Sequence, residues 1–167
     1  MLAQILKQAA HAGADELRRY YNNPDLQTAF NDGGINDLVT EADHAADRAI
    51  ISTIKSQFPD HFILSEETGN QATNSEYKWI IDPIDGTINF AHGIPICCVS
   101  IGVEKNGEMI MGVVYAPFLN EFYFAEKGKG AFLNDQPIHV SKQDKLINAC
   151  LVTGFPYTYV NSPNGPL

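Results

Sequence analysis

The chain has 167 residues, 44% of them hydrophobic and 19% charged, as is ordinary for a globular protein with its own core. The formal net charge of −9 argues against direct nucleic-acid binding, which needs a basic face. No stretch is long and apolar enough to cross a membrane, and the N-terminus lacks a signal-peptide pattern, so we expect a cytoplasmic protein with no membrane contact.

The first third of the chain predicts two helices. Apolar residues recur at helical spacing over residues 2–21, and a polar stretch at residues 31–34 then predicts a loop. Thr40 is a good helix N-cap, with Asp43 three residues later as in a capping box, and an apolar residue at every fourth position then continues to Pro59. Taken alone, Asp43 is most simply a helix cap.

A short buried strand is predicted at residues 62–64, and it is followed directly by Glu66 and Glu67. Adjacent glutamates in a loop are usually just solvated. Because these two follow a buried strand, they could instead meet a second acidic turn at a sheet edge.

That second turn lies in the most informative stretch, residues 79–90. A buried strand is predicted to end at Ile81, with turn signals at Asp82-Pro83 and Asp85-Gly86 and a short helix over residues 87–92. The first N–H groups of such a helix could bind phosphate, but two acids beside them would repel an anion unless a cation such as Mg²⁺ lay between them. The plain alternative is a polar turn with a helix cap.

The remaining residues predict an antiparallel meander with a hairpin turn at Asn106-Gly107, one more strand over residues 149–153, and no periodicity over residues 161–167. Cys97, Cys98 and Cys150 form no paired motif and are interpreted as buried free thiols of a reducing compartment. The predicted fold class is α+β, with two helices packed on a mainly antiparallel sheet.

Three motifs resemble those of the inositol monophosphatase family. The main one runs from Asp82 to Thr87, preceded by Trp-Ile-Ile and followed by Asn-Phe; the others are Leu-Val-Thr-x-x-Asp ending at Asp43, and the Glu66-Glu67 pair. The resemblance implies the N-terminal half of a sugar-phosphatase-like layered α/β fold. Residues 1–147 would form an α+β metal- and phosphate-binding domain, and residues 148–167 would begin a truncated C-terminal α/β domain, since the family's later Trp-Asp motif is absent.

The same resemblance implies a Mg²⁺-dependent, lithium-sensitive phosphomonoesterase that uses two or three ions and a metal-activated water. Its implied metal ligands are Glu66, Asp82, Asp85 and the carbonyl of Ile84, with Glu67 in support. Its implied catalytic residues are Thr87, Glu66 and Asp43, and its implied phosphate-binding residues are Asp85, Gly86 and Thr87.

Inositol monophosphate is the implied substrate, and the implied assembly is a homodimer. A phosphatase for another sugar phosphate, histidinol phosphate or a nucleotide bisphosphate remains open. So does a non-catalytic module that contacts RNA polymerase, because some bacterial members of the family act in antitermination. We expect these 167 residues alone to bind Mg²⁺ weakly, to associate, and to turn over substrate poorly.

Overall fold

A computed structural model of the protein describes residues 1–21, 28–30, 38–71 and 73–152, with the backbone alone at 28–30 and 38–40. In these ranges the helices are α1 (Leu2–Tyr20), α2 (Glu41–Lys55) and α3 (Thr87–Ala91), and a 3₁₀ turn covers Leu146–Asn148. The strands are β1 (Thr28–Phe30), β2 (Leu38–Thr40), β3 (Phe62–Ser65), β4 (Gly69–Gln71), β5 (Tyr77–Asp85), β6 (Cys98–Lys105), β7 (Glu108–Ala116), β8 (Glu121–Glu126), β9 (Gly130–Leu133) and β10 (Gln136–Ile138).

Eight strands form the main sheet in the order β10-β9-β8-β7-β6-β5-β3-β4, while β1 and β2 form a separate antiparallel pair. All neighbours in the main sheet are antiparallel except β3 and β5, which are parallel. The predicted fold, helices packed on a mainly antiparallel sheet, is therefore confirmed. None of the helices in the described ranges combines the length and apolar content that a bilayer span requires.

The core lies between one face of the sheet and the pair α1 and α2. Gly13 of α1 allows the two helices to approach closely, because a Cβ added at this position would lie 2.7 Å from Cδ1 of Ile50 on α2. The sheet contributes the alternate apolar side chains that face the helices, including Trp79, Ile81 and Ile101, all of them buried. This packing holds β5, the strand that carries the main motif, between β6 and β3 and against the helices.

The opposite face of the sheet is open within the described residues. Along the ladder, Gly102 pairs with Gly112, which pairs with Ala125, so small residues form a row across three strands. They line part of a shallow pocket of about 280 Å³. Leu64 and Val114 are 37% and 39% exposed at this face. We call it the open face.

One strand boundary differs from the sequence prediction, and several short strands were not predicted. The strand expected to end at Ile81 continues to Asp85, because its pairing with β6 resumes after an irregularity between Asp82 and Asp85. The strands β1, β2, β4 and β10 were not predicted, since three-residue strands are too short to show an alternating pattern.

The strand predicted over residues 149–153 is wrong where it can be compared, because residues 149–152 belong to no strand. Leu151 and Val152 are 72% and 96% exposed, and a strand forms by pairing, which an apolar pattern alone does not provide. Cys150 is exposed, in contrast to the buried thiol that was expected. The loop predicted at residues 31–34, Thr153 and the tail at 161–167 lie outside the described residues.

Candidate functional site

The parallel pairing of β3 with β5 brings Glu66 next to Asp82. Ser65 is paired with Ile81, and the N–H of Glu66 donates to the carbonyl of Ile81 at 3.1 Å. Because Ser65 and Ile81 are level in this parallel pair, the residues that follow them, Glu66 and Asp82, lie side by side. The two acidic motifs, sixteen positions apart in the sequence, therefore meet at one edge.

Past Asp82, the end of β5 is irregular. Asp82 is paired with Ser100 and Asp85 with Cys98, so the two intervening residues, Pro83 and Ile84, form a bulge. Proline is tolerated there because a bulge needs no ladder hydrogen bond from it. Ile84 is buried, its side chain only 2% exposed, whereas Asp85 is exposed. The bulge thus buries one apolar side chain and leaves an acid on each side of it.

Gly86 forms the sharp turn from β5 into α3. Its φ is +88°, and a Cβ built on it would lie 2.9 Å from the carbonyl oxygen of Ile96. The sequence predicted a turn at Asp85-Gly86, and the left-handed conformation of Gly86 agrees with it. The helix that follows is anchored by Phe90, which is 1% exposed and donates its N–H to the carbonyl of Gly86 at 3.0 Å.

The hydroxyl of Thr87 donates to the carbonyl oxygen of Ile84 at 2.8 Å. This contact closes the turn between the bulge and α3. It also fixes the direction of a carbonyl that the sequence interpretation assigned to the metal. A carbonyl oxygen has two lone pairs, so one remains for a second partner.

The pKa of the Asp82 carboxyl is strongly raised in the folded protein. Burial, followed by the negative charges of Glu66, Asp85 and Asp43, raises its pKa from 3.8 to about 7. Three carboxylates, two of them on other chain segments, are therefore close enough to Asp82 to disfavour its charge. A cation among them would relieve that repulsion.

Asp43 is on α2, and Glu67 follows Glu66 after the end of β3. Asp43 is 2% exposed and lies in the first turn of the helix. The side chain of Thr40, its predicted capping partner, lies outside the described residues. Glu67 is only 12% exposed, with Oε2 3.3 Å from Nδ1 of His44, whereas Glu66 is exposed. The adjacent glutamates thus face different surroundings: one points toward solvent and the other toward α2.

The donor set is chemically suited to Mg²⁺, although no group of three or more His, Cys, Asp and Glu side chains among the described residues is arranged to hold a metal as it stands. Mg²⁺ commonly takes one or two protein carboxylates and completes its shell with waters and substrate oxygens. Asp82, Glu66 and Asp85 supply only hard oxygen donors. The ligand set named from the sequence stays a prediction.

Comparisons with known proteins agree with the motifs. Residues 1–165 match the inositol monophosphatase family. The chain belongs to the inositol monophosphatase family. It is 47% identical over 160 residues to the inositol-1-monophosphatase of Synechocystis sp., covering 95% of this chain and 55% of that protein. It is 40% identical over 158 residues to the Nus factor SuhB of Pasteurella multocida, covering 94% of this chain and 58% of that protein.

Among solved structures, the inositol monophosphatase of Anabaena (Nostoc) sp. PCC 7120 superimposes with a TM-score of 0.83 at 38% sequence identity. The match covers 98% of this chain and 59% of that structure. The chain therefore has the fold of inositol monophosphatases and spans somewhat more than half the length of these relatives.

Two cysteines lie closer to the site than the sequence interpretation indicated. Cys98 donates its thiol to Oδ2 of Asp85 at 3.7 Å. Burial and the charge of Asp85 raise the pKa of Cys98 to about 12, and burial and the charge of Asp43 raise that of Cys97 to about 11. Both groups are therefore thiols at neutral pH. Their position becomes evident only when β6 is placed beside β5.

The sequence interpretation also missed a buried acid of α2. Asp47 is fully buried, and its Oδ1 accepts a hydrogen bond of 2.5 Å from the hydroxyl of Ser65, the last residue of β3. A signal was present in the sequence, because Asp47 lies directly beside the apolar stripe that includes Ala46 and Ile50. A charged residue on the buried side of a helix has to be compensated by a partner, and its position in that stripe therefore indicates a specific polar contact.

Proposed function

We propose that this chain forms the metal- and phosphate-binding part of a Mg²⁺-dependent phosphomonoesterase that acts on a small phosphorylated polyol. The observation that carries the proposal is the carboxyl of Asp82, whose pKa is raised to about 7 by burial and by three neighbouring carboxylates. Such crowding is unfavourable in a chain that binds no cation. Because the chain belongs to a family of phosphatases, we interpret the crowded carboxylates as a site for a catalytic metal.

Mg²⁺ would be held by Glu66, Asp82, Asp85 and the carbonyl of Ile84, with Glu67 supporting Glu66. Bound there, the metal would neutralise the charge of the phosphate ester and lower the pKa of a water. The ligands come from two parallel strands that end at one edge, so the rigid sheet sets their spacing. The bulge turns the Ile84 carbonyl toward Thr87, which holds it at 2.8 Å.

Thr87, Asp43 and Glu66 are proposed to orient the attacking water and to accept its proton. Asp43 is suited to a fixed position because it is buried in the first turn of α2. The backbone N–H groups of Gly86 and Thr87, with Asp85 acting through the metal, are proposed to hold the phosphate. Gly86 can present its N–H in this way because its left-handed conformation starts α3 directly after the bulge.

Inositol monophosphate is the proposed substrate. The residues after the main motif, Ile88-Asn89-Phe90, resemble the inositol monophosphatase branch, whereas the bisphosphate nucleotidase branch usually has Lys-Glu-Phe there. In the structure the amide of Asn89 donates to the carbonyl of Ile96 at 2.8 Å, so this residue shapes the loop next to the site. Fructose bisphosphate, histidinol phosphate and nucleotide bisphosphates are the competing substrates.

A second candidate is contact with RNA polymerase, favoured by the 40% identity to a protein named Nus factor SuhB. Under this alternative the chain would act as a protein-binding module and its metal site would be incidental. For the phosphatase, we further propose that the protein is a cytoplasmic homodimer, that lithium inhibits it and that each site binds more than one Mg²⁺. A pull-down with purified RNA polymerase, set beside the metal experiment below, separates the two functions.

The test is thermal unfolding of the purified protein with Mg²⁺ or Ca²⁺, followed by addition of inorganic phosphate or inositol 1-phosphate. Metal should raise the melting temperature, since a ligand of the folded state stabilises it, and phosphate should raise it further only when metal is present. Asp85→Asn should lose most of both effects. Exposed Asp144, replaced by Asn, is the matched control and should behave as wild type. Equal stabilisation of wild type and Asp85→Asn would falsify the site.

A further inference from the structure

Asp47 is a buried acidic side chain to which the proposed roles assign no function. It is 0% exposed, one helical turn after Asp43 on α2, and it packs beside the apolar core. Its Oδ2 has no hydrogen-bond partner among the described residues. A carboxylate in such a place is unfavourable unless its contacts are needed, so its single short hydrogen bond requires an explanation.

That hydrogen bond leads directly to the turn that carries the two glutamates. Oδ1 of Asp47 accepts the hydroxyl proton of Ser65 at 2.5 Å, and Oγ of Ser65 accepts the N–H of Glu67 at 3.3 Å. A serine hydroxyl has one proton. Oγ of Ser65 can therefore accept the N–H of Glu67 in a fixed direction only if its own proton is donated to another group. Asp47 sets this direction. Ser65 itself is 3% exposed, so solvent has little access to replace the contact.

The turn is held on its other side by the sheet, where the N–H of Glu66 donates to the carbonyl of Ile81 at 3.1 Å. The two consecutive amides of the glutamate pair therefore have separate anchors. One anchor is a strand of the sheet, and the other is a side chain of α2 acting through Ser65. Only the second can be removed without changing the main chain of the sheet.

We propose that Asp47 is a positioning residue that acts through Ser65 to hold Glu66 and Glu67 in the geometry that binds metal. The inference rests on the proposed function, because it assigns these glutamates to a metal site. It adds a residue that touches neither metal nor substrate. It also explains why a fully buried carboxylate lies one turn beyond Asp43 on the same helix.

The experiment is calorimetric titration of the 167-residue protein with Mn²⁺ and Mg²⁺, using folded samples checked by circular dichroism. Ser65→Ala and Asp47→Ala should each weaken metal affinity about tenfold, the lower end of the effect of residues that orient metal ligands. The double variant should be no weaker than the weaker single variant, because both changes break the same path. Asp47→Asn keeps an acceptor for Ser65 and should stay within about threefold of wild type.

Ile54→Ala is the matched control, since Ile54 is fully buried on the same helix but belongs to the core. It should lower the melting temperature and leave the metal affinity of the folded protein unchanged. If Ser65→Ala binds metal as tightly as wild type, or loses no more affinity than Ile54→Ala, the positioning role is overturned while the proposed site stands. If wild type and Asp85→Asn bind metal equally, or neither binds, the proposed site fails and the role of Asp47 fails with it.

Discussion

The metal-free protein should become less stable as the pH rises from about 4 to 8, and Asp82 should be the cause. The ordinary pKa of this carboxyl is 3.8, and in the fold it is about 7, with burial first among the causes. Between these values the folded state keeps a proton that the unfolded state has released. The unfolded state then binds fewer protons, so the free energy of unfolding falls as the pH rises, and the contribution of Asp82 is lost fully above about pH 7.

The size of the effect follows from the two pKa values. Each pKa unit corresponds to about 1.4 kcal/mol, so a rise from 3.8 to about 7 sets an upper bound of roughly 4 kcal/mol across the interval, and solvent screening of this partly exposed carboxyl reduces the expected effect below that bound. Asp82→Asn has no such proton to lose. The variant should therefore gain stability relative to wild type as the pH rises, with most of the change between about pH 4 and 7.

The assay is urea unfolding in EDTA at several pH values, followed by the fluorescence of Trp79, the single tryptophan, which is fully buried. Asp144→Asn, at an exposed acid, is the control and should follow wild type at every pH. Saturating Mg²⁺ should reverse the advantage of Asp82→Asn, because the metal then stabilises the carboxylate. A constant difference between wild type and Asp82→Asn across this pH range would refute the reasoning.

Three further predictions concern the turn, the chemistry and the open face. Gly86→Ala should destabilise the protein by at least about 1 kcal/mol more than Gly128→Ala, as measured by urea unfolding. Both glycines have positive φ, but of the two only Gly86 would place a Cβ against a backbone oxygen, at 2.9 Å. Equal losses of stability in the two variants would contradict this. Thr87→Ala should lower kcat about 10²–10⁴-fold in a phosphatase-active form, with little change in the half-saturating Mg²⁺ concentration, and full activity at saturating metal would remove Thr87 from the mechanism. The 167-residue protein should self-associate through the open face, as measured by light scattering. Val114→Glu, at a 39% exposed position on that face, should reduce the association. A monomeric wild type would refute this prediction.

Much of the fold follows from local patterns in the sequence. The apolar periodicity of α1 and α2 and the alternation in β6 and β7 are long enough to identify those elements directly. The turn at Gly86 was also predictable, since few other residues follow a strand with a left-handed conformation. These features depend on neighbours in the sequence, which is why one sequence suffices.

Features that depend on pairing between distant segments could not be predicted in the same way. Residues 149–152 carry a strand-like apolar pattern, yet they pair with nothing in the described part of the chain and stay exposed. Conversely, β5 continues past Asp82-Pro83 because β6 offers partners up to Cys98. The contact of Asp47 with Ser65 joins residues eighteen positions apart and appears only when α2 has packed on β3.

The most direct test of the central claim is the position of a bound metal in a crystal of this protein grown or soaked with Mn²⁺ and phosphate. Anomalous scattering identifies Mn²⁺ without reference to the refined coordinates. The account predicts a peak within bonding distance of carboxylate oxygens of Asp82, Asp85 and Glu66, with phosphate beside Gly86 and Thr87. Phosphate bound elsewhere, or a metal peak that none of these three carboxylates contacts, would contradict it.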